Sequence, residues 1–187
     1  MKKTALIILA SMLFSCGEKI LPSNRPTEQV EFIQLMQGLR DQVNASEKDK
    51  AYRSDLLQRA VPYVKQYLKD SLMLKFNAWE ARVLAIKEDY PKQGTTELKL
   101  GMAYDLNDIL EKLKYNSIVL STQTPADSEI SAILKNLKPG DYVKLSGEFI
   151  EQDGFIDLDS YSNYKFSKNI FDNPEFKSTL SDIKKIE

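Results

Sequence analysis

Few side chains in this sequence can do chemistry, and the first of them is Cys16. It is the only cysteine in 187 residues, and it closes an apolar run in Leu13-Phe14-Ser15-Cys16-Gly17. A thiol is the one side chain nucleophilic enough near neutral pH to take up a lipid as a stable thioether. The chain has no histidine. That removes Ser-His-Asp and Cys-His catalysis, histidine-bound zinc and the commonest general base together. Ser-x-x-Lys, a spacing used by some serine acyl-transfer enzymes, occurs at Ser162–Lys165 and Ser181–Lys184. Sixteen serines and 21 lysines produce such matches by chance, and the companion motifs are absent. Asp153, Asp157 and Asp159 could offer oxygens to a hard cation. They lack an Asp-x-Asp-x-Asp-Gly loop, and alternating acids on a strand read as a solvated face. Seven scattered glycines build no phosphate loop. We therefore expect no catalytic residue, no metal ligand and no cofactor.

Around Cys16 the pattern is that of export. Lys2 and Lys3 precede the apolar stretch Thr4–Phe14, which is shorter than the ~20 residues a membrane-spanning helix needs. Residues 1–15 read as a secretory signal peptide. Leu13-Phe14-Ser15-Cys16 resembles the lipobox of bacterial lipoproteins, with Phe14 where a small or β-branched residue is more usual. The resemblance implies a diacylglyceryl thioether on Cys16, cleavage before it, and acylation of the freed amine. Two acyl chains already anchor a protein stably, so three would hold it permanently. Gly17, where an Asp would retain the protein at the inner membrane, implies the outer membrane with the protein facing the periplasm. The alternative is a secreted protein with a stray thiol, a liability in an oxidising compartment.

Removing a leader with two lysines and no acid takes the net charge from −1 to about −3. That balance argues against an electrostatic partner such as nucleic acid or anionic lipid. Residues 16–27, with Pro22 and Pro26, read as a tether. From 28 to 70 the apolar spacing is helical: Phe32, Leu35, Met36, Leu39 and Val43, then Leu57, Ala60, Val61, Val64 and Leu68. Asn44-Ala45-Ser46 separates two helices of a hairpin, and Pro62 is expected to kink or restart the second.

The period then becomes two. Leu72, Leu74 and Phe76 share one parity and Trp79, Ala81 and Val83 the other, which places a bulge near Asn77–Ala78 in a long first strand. Trp79 is expected in the core. Leu98, Leu100, Met102 and Tyr104 alternate as a second strand, leaving Glu97, Lys99, Gly101 and Ala103 outward. A short helix follows Asp105, then a strand at Ser117–Ser121. Another helix, capped by Asp127 or Ser128, ends at Lys138-Pro139-Gly140-Asp141. Val143, Leu145, Gly147 and Phe149 alternate into a hairpin turn at Gln152-Asp153-Gly154, followed by Ile156 and Leu158.

Three strands, a helix and a two-strand hairpin resemble the order of the oligonucleotide/oligosaccharide-binding (OB) barrel. The residues that carry the resemblance are Trp79–Val83–Ile86, Leu137–Val143, Ser146–Phe149 and Asp157–Ser160, with Pro174-Glu175-Phe176 as the start of a closing strand. Similar domains occur in bacterial envelope lipoproteins. The expected architecture is α+β: an OB-like small β-barrel of five to six strands over residues 71–187, preceded by the two-helix segment. In such barrels the loop after the first strand and the hairpin after the fourth flank the usual binding face. Tyr90, in the first of these, and Tyr161, Tyr164 and Phe166, downstream of the second, are the candidate partner-binding rim. The expected function is a membrane-anchored, non-enzymatic binding or interaction lipoprotein of the envelope. Its partner would be another envelope protein or a small ligand, and not nucleic acid. An envelope hydrolase or transferase using paired carboxylates, or a purely structural component, are the competing classes.

Overall fold

The computed structural model describes residues 24–105, 110–113, 115–152, 155–156, 158–160 and 169–186. Two helices come first, α1 (Thr27–Ala45) and α2 (Lys50–Asp70). The apolar stripe of α1, Phe32, Ile33, Met36, Leu39 and Val43, is buried. Asp49 caps α2 by accepting the Tyr52 N–H at 3.0 Å, which satisfies a donor the first turn leaves unpaired. α2 runs through Pro62 as one helix rather than restarting there.

The first strand begins at Lys75, not at Leu72. Met73 and Leu74 both take left-handed backbone angles (φ 52° and 60°), and the Leu74 N–H turns back to the Leu68 carbonyl at 2.8 Å. The chain uses these residues to end α2 and reverse. β1 (Lys75–Glu88) then pairs antiparallel with β2 (Thr95–Ala103), and β2 with β3 (Ser117–Pro125). A four-residue helix, α3 (Leu110–Leu113), lies between β2 and β3, and α4 (Glu129–Leu134) follows β3 with Ser128 as its cap. β4 (Tyr142–Phe149) returns to the free side of β1.

A closed five-stranded barrel results, its closing strand starting at Pro174 as expected, but the expectation that the hairpin after β4 belongs to the barrel is corrected. The hairpin after β4, β5 (Glu151–Gln152) with β6 (Phe155–Ile156), forms a separate two-stranded sheet outside the barrel. Two residues per strand are too few to cross it. After the short β7 (Leu158–Ser160), the fifth barrel strand is β8 (Pro174–Lys185), antiparallel to β4 and parallel to β3. The ring order is therefore β1-β2-β3-β8-β4 and back to β1.

The core is continuous between helices and barrel. Phe32 of α1 is fully buried among Trp79, Phe149 and Phe176, at ring-centre distances of 5.5, 6.0 and 5.7 Å. Mixed stacked and edge-on pairs at these distances add to area burial. Trp79 is 0% exposed, a core residue.

One polar residue joins this apolar contact. Gln29, buried on α1, donates to the Glu80 carbonyl at 2.6 Å and accepts the Glu80 N–H at 2.9 Å. β2 stops pairing with β1 at Arg82, so the backbone of Glu80 faces a gap in the ladder. The amide of Gln29 fills it, one donor and one acceptor on each side.

Candidate functional site

Two irregularities in the barrel wall face each other across β4. On β1, Phe76 pairs with Gly147 and Trp79 with Leu145, so Asn77 and Ala78 together oppose the single residue Ser146 and one residue is extra. On β8, Gly147 pairs with Leu180 and Ser146 with Asp182, so Ser181 is extra. The bulge on β1 lets both Phe76 and Trp79 point inward, which is why the apolar parity switches. Ala78 takes φ 54°, and its N–H donates to Ser146 Oγ at 3.0 Å. That hydroxyl donates in turn to Asn77 Oδ1 at 3.0 Å.

Gly147 sits where the bulges meet. A Cβ there would lie 2.0 Å from the Thr179 carbonyl oxygen and 2.8 Å from the Phe76 ring, so only glycine allows the three strands to close together. Outside them lies an open groove of about 340 Å³, edged by Asn77, Ser146, Thr179 and Ser181. Its charges are Lys75 and Glu148, 3.7 Å apart and both exposed. The groove presents hydroxyl and amide groups and one self-paired ion pair. Such a surface can hold a polar ligand or a loop of a partner by hydrogen bonds.

The expected rim is only partly within the described residues. Tyr90 stands on the β1–β2 loop, 46% exposed, with the Lys87 ammonium 4.5 Å from its ring centre. The loop is braced from within. Asp89 accepts the Gly94 N–H at 2.9 Å, and Thr95 Oγ1 donates to the carbonyls of Tyr90 and Lys92. Tyr161, Tyr164 and Phe166 lie outside the described residues, as do Cys16, Asp153, Asp157 and Ser162. Phe171, in the same aromatic stretch, is buried, and its carbonyl accepts the Tyr104 hydroxyl at 2.6 Å. Burial pushes that phenol well above its ordinary range.

The outward face of β2 carries a charge cluster that sequence reasoning missed. Glu97 is buried between Lys87 at 3.5 Å and Lys99 at 4.0 Å, and Lys99 pairs with Glu175 of β8 at 2.8 Å. Gly101 and Ala103 are covered too, within a small cluster of Leu84, Leu113 and Val119. The cluster needs β8 beside β3, and no local pattern announces that. At the end of α4, Lys138 N–H and the Lys185 ammonium both bond Asp141, at 2.9 and 2.8 Å. Burial works to raise the Asp141 carboxyl, but these two donors outweigh it and hold it below the usual carboxylate range.

Among the described residues no three acids or cysteines are grouped to hold a metal ion, and no helix is long and apolar enough to cross a membrane. No family model, curated protein or solved structure matches the chain.

Proposed function

We propose that this chain is a lipid-anchored, non-enzymatic binding or interaction module of the bacterial cell envelope, built on an OB-like barrel. The observation that carries the anchor is Cys16 in Leu13-Phe14-Ser15-Cys16-Gly17, behind Lys2, Lys3 and a short apolar run. The OB-like reading draws on the strand order: a β1-β2-β3 meander, a helix before β4, and β8 parallel to β3 and antiparallel to β4. A five-stranded Greek-key barrel of that family has this plan.

Two features favour binding over carboxylate catalysis and over nucleic acid. The one carboxylate of the groove, Glu148, faces Lys75 rather than a second acid. The outer face of β2, where OB barrels stack bases between cations, holds Glu97 and Lys99 in a self-neutralised cluster without an aromatic ring. The test is metabolic labelling with palmitate, in wild type and in Cys16→Ser. Label in the wild type alone, with unprocessed precursor accumulating in the variant, is the expected result. Label in Cys16→Ser would refute the anchor.

A further inference from the structure

The chain joins the barrel almost at once after Cys16. The Asn24 N–H donates to both carboxylate oxygens of Glu80, at 3.0 and 3.2 Å. Arg25 follows, its guanidinium donating to the Ala103 carbonyl at 3.2 Å. Burial lowers its affinity for the proton, against the pull of Glu80 and Tyr142. Pro26 then leads directly into α1. Residues 24–26 thus belong to the folded body, and the tether expected over 16–27 is at most residues 16–23. Eight residue steps span at most about 28 Å.

Glu80, where the tether docks, points outward from β1. Its neighbours across the sheet on the same face are Lys144 on β4 and, beyond it, Lys184 on β8. Their outward direction follows from the next residues: Leu145 and Ile183 pair with each other and are buried. Neither lysine has an ion-pair partner among the described residues. Arg25 and the buried Arg82 lie near Glu80, and the acids of this face are Glu80, Asp182 and Glu148, the last paired with Lys75. The chain as a whole is acidic, yet this face is locally basic.

We propose that the outer face of β1, β4 and β8 around Glu80 is the surface apposed to the membrane, with Lys144 and Lys184 against phospholipid headgroups. This rests on lipidation of Cys16. The short tether keeps its docking point near the bilayer, and the two lysines select this face from those the tether could reach. Each lysine close to an anionic surface shifts such a balance by about fivefold.

Lipidation consumes the native thiol, so an introduced cysteine is unique in the lipidated full-length protein. A fluorophore is attached at Ser181→Cys, exposed on this face, or at Gln123→Cys, exposed on β3 across the barrel. Each protein is reconstituted into vesicles of phosphatidylcholine with or without phosphatidylglycerol, carrying nitroxide-headgroup lipid. Acylation is first verified by mass, and its absence would overturn the anchor rather than the orientation. The expected result is loss of most emission at position 181 with emission at 123 retained, and a larger contrast with phosphatidylglycerol. Equal quenching at both positions, or stronger quenching at 123, overturns the orientation. Equal contrast in the two vesicle types overturns the role of the lysines, as does a contrast unchanged by Lys144→Glu with Lys184→Glu.

Discussion

Replacing Gln29 with methionine would test how α1 is held on the barrel. Methionine keeps the length of the side chain and its helix propensity while removing both the donor and the acceptor. Glu80 would lose the partner of its carbonyl and of its N–H. A buried backbone group stripped of its partner costs about 1–3 kcal/mol. Glu80 is only half-buried, so water recovers part of this, and a total of about 2–4 kcal/mol is expected. For a domain of this size that lowers the melting temperature by roughly 6–12 °C. The assay is urea unfolding followed by tryptophan fluorescence, in a Cys16→Ser background so that the proposed acylation does not intervene. Trp79 reports directly, since Phe32 on the same helix stacks on it. Gln29→Glu should be worse at neutral pH, because it turns a carboxylate toward the Glu80 carbonyl. If Gln29→Met falls within about 0.5 kcal/mol of wild type, the amide does not substitute for a strand, and α1 is held by its apolar stripe alone.

Three further outcomes follow from the same geometry. Gly147→Ala should lower stability by about 2 kcal/mol or more, because its methyl meets the Thr179 carbonyl; a melting temperature equal to wild type would mean β4 and β8 can separate freely. Asp141 is held below the usual carboxylate range, so its stabilisation is present above the unfolded value near pH ~3.9 and disappears as pH falls through the folded one. Acid titration of Asp141→Asn should show a shallower loss of stability below that pH than wild type, and parallel curves would discount the pair with Lys185. Single-stranded DNA at ~150 mM salt should show no micromolar binding, and saturable anisotropy changes at that affinity would contradict the self-neutralised β2 face.

Part of this architecture was written locally in the sequence and part was not. The parity switch from Phe76 to Trp79 located the β1 bulge, because two inward residues of opposite parity require an extra residue between them. The alternation Leu98-Leu100-Met102 likewise set which face of β2 is buried. β8 was hidden beyond its first residues because its own bulge at Ser181 breaks the alternation, and half its length is polar. The short β5–β6 hairpin, with a clear turn between alternating residues, reads as barrel strands, and only Pro174-Glu175-Phe176 marks the start of the closing one. No sequence pattern marks Gln29, since its role exists only where a strand edge is left open. The groove joins β1, β4 and β8, and the Glu97–Lys99–Glu175 cluster joins β2 to β8. Pairing of strands so far apart in sequence leaves no local trace. Of the expected rim, Tyr90 stands exposed on a braced loop, while the cysteine and the remaining aromatics lie outside the described residues.

The position of β8 in the chain also sets an order of events. Until residues 174–185 are available, β3-β2-β1-β4 is a four-stranded sheet with both outer edges open, and open edges recruit other chains. A parallel partner from a distant part of the sequence is also slow to arrive, since a long loop must close first. A polypeptide threaded across a membrane amino end first would present its helices and four strands before the fifth could seal them. The last stave is thus a checkpoint on completion of the chain. Any chain shortened before Pro174 would emerge with its edges bare, a substrate for chaperones and proteases rather than a weaker version of the finished protein.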